Sequence, residues 1–432
     1  MSSQEEPKSD PTPVSAGYAN YVLGVLFVVY VFNFIDRQVL SILLIDIKAD
    51  LDVSDTAMGF LTGFAFVIFY TFAGIPIARW ADNASRRNII SIGLVVWSGM
   101  TALSGLAQNF LHLALARVGV GVGEAAGSPP AHSLISDYFP LERRATALSI
   151  YAAGVYLGVA AAYIGGGYIA ESFGWRAVYF VVGLAGIPLA LLIVGTVREL
   201  PRGSSEQSPI TMEPVSFGEV LTTVGRNRSF VWVVLATAVQ SLSGYAMLSW
   251  APTFMIRVHE MGRLDVSLQL GVAVGVCGML GAYLGGKLAD HAATRDVRWY
   301  MRLPALEALL SVPFGLGFLF LAESGMAMVA FYPFYFLGGM YVGPMVSMIQ
   351  SLVVPNMRAQ ASAINLFVVN MIGLGLGPLI VGFLNDTLFA QYGALAIRYS
   401  LAVVSLTGVL GSGLFYLASR GLREDLAAAQ ER

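Results

Sequence analysis

The chain has 432 residues, 56% of them hydrophobic and 12% charged, with a mean hydropathy of +0.69 and a formal net charge of -2. Soluble domains carry about 25% charged residues, so most of this surface does not face water, and the near-neutral balance implies no nucleic-acid partner. The single cysteine, Cys277, excludes an internal disulfide and a cysteine metal cluster, and four scattered histidines suggest no metal site, so no metal and no cofactor are expected.

Residues 1–17 are polar and proline-rich, with three acids and one lysine; they read as a disordered cytoplasmic tail and not as a positively charged signal region. A bilayer core requires roughly 20 apolar residues per helix. Apolar stretches between charges and Pro/Gly breaks predict twelve helices, at about 18–46, 56–79, 88–109, 111–136, 145–170 and 175–197, then 229–256, 266–289, 302–322, 326–353, 359–384 and 397–419. The fold class expected is all-α and membrane-integral: six helices over 18–197, a cytoplasmic linker over 198–228, six more over 229–419, and a cytoplasmic tail over 420–432. Within the linker, PVSFGEVLTTV predicts a short amphipathic helix. With the N-terminus inside, the inner segments hold 18 Lys and Arg against 5 outside (Lys48, Arg176, Arg257, Arg263 and Arg398), which makes both termini cytoplasmic.

The two sets of six are related. ARWADNASRR (Ala78 to Arg87) stands between helices 2 and 3, and GKLADHAATR (Gly286 to Arg295) stands between helices 8 and 9. Ser128-Pro129 and PLERRATA (Pro140 to Ala147) recur as Gly343-Pro344 and PNMRAQA (Pro355 to Ala361). Parallel repeats of this kind pack around an axis along the membrane normal, with the substrate site between them.

The first loop resembles the signature of the major facilitator superfamily: Asp82, Arg86 and Arg87 match it, while Ala78, Asn83 and Ser85 depart. FIDRQVL (Phe34 to Leu40), LTGFAF from Leu61, GIPIARWAD (Gly74 to Asp82), RVGVGVGEA (Arg117 to Ala125), SLISDYFP (Ser133 to Pro140) and GWR (Gly174 to Arg176) resemble, more narrowly, the bacterial branch of the spinster family. The resemblance implies two pseudo-symmetric six-helix bundles in a bacterial inner (plasma) membrane. It also implies a transporter working by alternating access on a lipid-like cargo such as sphingosine-1-phosphate or a lysophospholipid, coupled to protons.

An ionisable side chain at the centre of a span costs about 2.5–3.5 kcal/mol on insertion scales. Four stand out: Asp36 and Arg37 in helix 1, and Arg117 and Glu124 in helix 4. Arg117 and Glu124 share a face two turns apart, too far to pair along their own helix. In the superfamily helices 1 and 4 both border the central cavity, which sets Asp36 and Arg37 opposite them. Two acids and two bases can act as a proton switch in which a carboxylate and an anionic substrate compete for an arginine. On this reading Asp36 and Glu124 carry the coupling, Arg117 binds the anionic head, and Arg37 assists. The alternative is a static salt-bridge network joining helices 1 and 4.

The second half has no comparable charges, and Glu307 reads as interfacial near the start of helix 9. Its candidate substrate contacts are polar and aromatic: Gln240, Tyr245 and Trp250 in helix 7, and Asn365 and Asn370 in helix 11. FYPFYF (Phe331 to Phe336) adds an aromatic stripe that is lipid-facing, core or ligand-binding. Asp82, Arg86, Arg87, Arg144, Asp290 and Arg358 lie in equivalent loops and are candidates for a cytoplasmic gate, with helix capping as the alternative for the two aspartates.

No HExxH, GxSxG or Walker sequence supports an enzyme or an ATP-driven pump. The partners expected are a small lipid-like or organic anion, protons and membrane lipids, with the chain acting as a monomer. A carrier of small organic anions or drugs is the first alternative, and a lipid scramblase the second.

Overall fold

A computed structural model describes residues 15–205 and 215–430, without the side chains of residues 75, 78, 82 and 430. Apart from residues 15–17, the N-terminal tail lies outside the described residues, as do the middle of the linker and the gate role of the Asp82 side chain.

Among the described residues the chain is helical throughout and contains no strand. In lipid the backbone has no water to satisfy it, so long helices are the economical answer to a chain this apolar. The first half consists of α1 (Ala16–Leu51), α2 (Asp55–Thr62) with α3 (Phe64–Asn83), α4 (Arg86–Ser104), α5 (Phe110–Glu124) with α6 (Ser128–Tyr138), α7 (Leu141–Phe173) and α8 (Trp175–Thr196). The linker carries α9 (Phe217–Arg226), which occupies the segment read as amphipathic and turns Val220 and Val224 inward. The second half holds α10 (Arg228–His259), α11 (Arg263–Val272) running through a π-helical stretch (Ala273–Gly278) into α12 (Met279–Ala293), and α13 (Trp299–Phe320). It continues with α14 (Ser324–Gly339) and α15 (Val342–Ser351), then α16 (Arg358–Val369) running through a second π-helical stretch (Asn370–Leu376) into α17 (Gly377–Asp386), and ends with α18 (Ala396–Gln430).

Polar side chains fix several starts. Ser15, Ser54, Asn109, Ser216 and Asn227 each accept a hydrogen bond from the backbone N–H three residues on. Joined across their breaks, the pieces make twelve rods besides α9, and ten are long and apolar enough to span a bilayer on length and composition alone. The other two are α4, which opens on Arg86-Arg87-Asn88, and the α5–α6 rod, cut at residues 125–127 into pieces of 15 and 11 residues. Residues 420–430 were expected as tail but continue α18, because Leu422 is buried and Asp425 accepts from the Ser229 backbone N–H at 2.9 Å.

The halves interlock on the side away from the termini. There α2 lies against α17, and a Cβ on Gly382 would run into the carbonyl of Asp55 while one on Gly63 would run into the carbonyl of Leu374. On the same side α7 lies against α11, with Gly167 under Ser267. Asp55 is the hub of this closure. It is 2% exposed and takes Arg257 through two bonds (2.7 and 3.1 Å), Lys48 at 2.5 Å and Asn385 at 2.9 Å. Asp386 accepts from the backbone N–H and hydroxyl of Thr56, both at 2.6 Å, and Arg263 reaches Asp46 at 2.6 Å.

On the termini side, ion pairs among the described residues stay within one half. Arg86, buried, pairs with Asp137 and with Glu199 at 2.8 Å. In the other half Asp296 gathers Arg298, Arg302 and Arg423 at 2.9, 3.5 and 3.1 Å. The fold therefore positions a cavity between the halves, closed by charge and close packing on the far side.

Candidate functional site

The cavity between the halves has a volume of about 200 Å³. The first half lines it with Arg37, Gln38, Ser41, Thr62, Phe66 and Arg117. The second half supplies Gln240, Ser241, Ser249 and Ser311 together with Tyr245, Tyr335 and Tyr341. One wall is cationic and the other is hydroxyl-rich and aromatic.

Arg37 sits on α1 and Glu124 ends α5, where the chain breaks before Gly127 and restarts on Pro129 and Pro130. Proline suits a first helical turn because its missing N–H would have had no partner there. The break brings the Glu124 carboxylate to the Arg37 Nε, Oε2 to Nε 2.5 Å, with Glu124 fully buried and Arg37 13% exposed. The Arg37 guanidinium also lies over the rings of Phe34, Phe66 and Tyr70, 4.5–5.0 Å from their centroids. Glu124 Oε1 has no hydrogen-bond partner, so this carboxylate keeps an unused acceptor. Arg117, 1% exposed, donates from Nη1 to the backbone carbonyl of Asp36 at 3.0 Å.

Asp36 departs from expectation. Consecutive helical residues point about 100° apart, so when Arg37 faces the cavity Asp36 turns away from it. Its carboxyl lies against Thr101 and Trp97 of α4, 1% exposed, and Oδ1 has no hydrogen-bond partner. The four charges therefore do not form one cavity-facing quartet. Arg37 and Glu124 form a pair, and Arg117 is tied to backbone. The cavity-facing cation that has a carboxylate competitor is Arg37, where Arg117 was expected.

In the second half Gln240 and Tyr245 line the cavity as expected. Trp250, Asn365 and Asn370 are absent from its lining. Trp250 is fully buried and donates its indole N–H to the Pro378 carbonyl at 3.0 Å, which fixes α10 to α17. Asn365 turns its amide to Met345 Sδ at 3.4 Å, and Asn370 opens the second π-helical stretch. Glu307, expected at the interface, is 2% exposed instead.

Five of the gate candidates have described partners in their own half or in the start of the linker. Arg86 and the Arg87 backbone N–H hold Glu199, Arg144 bonds Ser205, Asp290 accepts from the Tyr300 hydroxyl at 2.8 Å, and Arg358 donates to the Gln350 carbonyl at 3.1 Å.

Two groups escaped the sequence reading. Asp55 was legible only as an acid near a helix start, although Lys48, Arg257 and Arg263 were noted as rare outer cations. Gln38 binds Ser41, the Tyr163 hydroxyl and the Leu248 carbonyl at 2.7, 3.2 and 3.3 Å, crossing between halves at the cavity wall. It stood in the same FIDRQVL run as the charges.

The sequence profile of the Major Facilitator Superfamily matches residues 26–378. An MFS-type efflux pump of Mycolicibacterium smegmatis is 36% identical over 409 residues, covering 94% of this chain and 93% of its own. Human protein spinster homolog 1 is 28% identical over 447 residues, covering 97% and 84%. Among solved structures, a bacterial homologue of the human lysosomal transporter Spinster, in an inward-facing and unoccupied conformation, superposes with a TM-score of 0.86 at 30% identity, covering 95% of this chain and 99% of its own. With its duplicated helical halves and the cavity between them, the chain belongs to the major facilitator superfamily and, within it, is a spinster-like membrane transporter, not an enzyme.

Proposed function

We propose that the protein moves an anionic or zwitterionic amphiphile, a lysophospholipid or a sphingosine-1-phosphate-like lipid, across the bacterial inner membrane by proton-coupled alternating access. The conformation described would be the one open to the cytoplasm, with both termini on that side. The observation that carries the reading is the Arg37–Glu124 pair at the cavity wall. Glu124 holds Arg37 while ionised; once protonated it releases the guanidinium, which is then free for an anionic head. When the substrate leaves, Glu124 gives up its proton and takes Arg37 back. Head and carboxylate thereby compete for one cation, and head and proton are taken up and released together. A space of about 200 Å³ is below the roughly 300–1,000 Å³ typical of sites that enclose a whole drug-sized ligand. It suits a head group, with the acyl chain lying along the apolar surface between the halves.

A second reading, export of amphiphilic drugs, is favoured by the 36% identity to a mycobacterial efflux pump. Proteoliposomes loaded with competing lipids and drugs separate the two. Uptake of a fluorescent lysophosphatidylethanolamine, driven by a proton gradient and lost in Arg37→Ala, is the expected result. In Glu124→Gln the uptake should lose its dependence on the gradient while exchange persists. Uptake by Glu124→Gln with an unchanged response to pH would refute the coupling mechanism.

A further inference from the structure

Glu307 lies on α13, roughly 12 Å of helix beyond its first residue at 1.5 Å per residue. It is 2% exposed, and neither Oε1 nor Oε2 has a hydrogen-bond partner among the described residues. An ionised carboxylate in such a place is costly unless paired, and such groups neutralise instead. Among the described residues, the elements packed on α13 bring no cation to it, and Arg420 of α18 lies over the Tyr416 ring. The backbone of Tyr341, in the break between α14 and α15, is its polar neighbour. On α12, Lys287 lies over the Tyr283 ring and Asp290 takes the Tyr300 hydroxyl. Arg302 on α13 and Arg423 on α18 are drawn to Asp296. One turn along α13 from Glu307, Ser311 lines the cavity, as does Tyr341.

We infer that Glu307 is a proton-binding site of the second half, a neutral carboxylic acid in this conformation, placed behind the cavity wall formed by Ser311 and Tyr341. The α14–α15 break at Met340–Tyr341 is the counterpart of the α5–α6 break that carries Glu124, as the Ser128-Pro129 and Gly343-Pro344 repeats show. Each half thus sets one buried carboxyl beside its break: Glu124 on the broken helix itself, paired with arginine, and Glu307 on the neighbouring α13, next to the Tyr341 backbone and without an arginine. Opening of the second half's break would let water reach Glu307, which then releases its proton to that water as the carboxylate and takes one back from it before the break closes. That second step rests on the proposed proton-coupled transport; the protonation state does not.

Infrared spectra of the full chain in lipid nanodiscs at neutral pH test the protonation directly. The carbonyl-stretch band of protonated carboxylic acids should be present in the wild type, lose a component in Glu307→Gln and show that component shifted in Glu307→Asp. Spectra unchanged by both substitutions would overturn the assignment, and the aspartate variant decides the matter where the glutamine variant fails to fold. In proteoliposomes, Glu307→Gln should keep exchange of the fluorescent lysophosphatidylethanolamine while losing most of its accumulation under a proton gradient. A full gradient response in that variant would refute the coupling role. If the wild type carries no lysophosphatidylethanolamine at all, the transport reading fails on that substrate, and the infrared result still decides Glu307.

Discussion

The two halves share a backbone plan and divide the chemistry unequally. In the first half the buried arginines have partners: Arg37 holds Glu124 and three aromatic rings, and Arg117 holds a backbone carbonyl. In the second half the cavity wall is tyrosine, serine and glutamine, and its buried acid has no arginine. The second half also carries both π-helical stretches, and Val274 and Leu374 within them line the cavity. Such stretches are rare and concentrate at functional sites. Duplication fixed where helices cross and break, because those features follow from glycine, proline and helix length. It did not fix which residue stands at each break, so one copy became the charged wall and the other the deformable one.

The largest test of that division is to remove one charge from the pair. Truncating one partner of a buried ion pair costs about 3–5 kcal/mol, because the other charge is left stranded. Arg37→Ala or Glu124→Ala should therefore lower thermal stability in detergent sharply and abolish accumulation driven by the proton gradient. The double variant Arg37→Met/Glu124→Leu should recover most of the stability and none of the transport, since a packed apolar pair can replace a buried ion pair structurally. Recovery of transport in the double variant would mean that the pair is a static brace, and the two halves would then be less different than they look.

A smaller effect concerns the face where the halves meet as equals. Overpacking a close contact costs about 1–3 kcal/mol. Gly382→Ala forces α17 away from the Asp55 carbonyl, and Gly167→Ala forces α7 away from Ser267. Each should move the population toward a state open on the far side, seen as longer distances between spin labels on the far ends of α2 and α17. Asp55→Asn should move it the same way by weakening the bonds to Arg257 and Lys48. Unchanged distances in all three would show that the closure is held elsewhere.

The fold was legible because the bilayer makes each helix announce itself as a long apolar run, and because two loops repeat in order. α4 and the α5–α6 rod are the instructive cases: both meet the predicted positions, although charges at one start and a break in the other weaken their apolar signal. Residue types at the site were legible too, since a charge inside a span is conspicuous by its cost. Partners were less so. Asp36 and Arg37 were both placed on the cavity, yet the helical turn permits only one of two neighbours to face it. Trp250 has the look of a ligand-stacking residue, but its N–H goes to the Pro378 carbonyl. That contact depends on how α17 leans on α10, which no local pattern encodes. Glu307 reads as interfacial from its place near the start of helix 9, and only its burial beside the Tyr341 backbone shows that it is enclosed.

The smallest effect contrasts the two hubs on the termini side. The first half centres on a buried cation, Arg86, held by two acids; the second centres on a surface acid, Asp296, held by three arginines. Bonding to Arg298 first, and the charge of Arg423 beyond it, keeps the Asp296 carboxyl below the ordinary carboxylate range. A carboxyl lowered in the folded state adds stability that is present above its unfolded value, about 3.9, and is lost as pH falls below that value toward the folded one. Stability should thus be indifferent to Asp296 titration at neutral pH and should fade on acidification from about pH 4 downward. Asp296→Asn should flatten that acid limb slightly and lower stability a little at neutral pH, because an exposed cluster is screened by solvent and salt. High salt should shrink the difference further, whereas the buried Arg86 hub should respond less to salt. Melting curves for Asp296→Asn and Arg86→Gln across pH and salt measure both. An equal salt response at the two hubs would show that they are electrostatically alike in spite of their reversed charge.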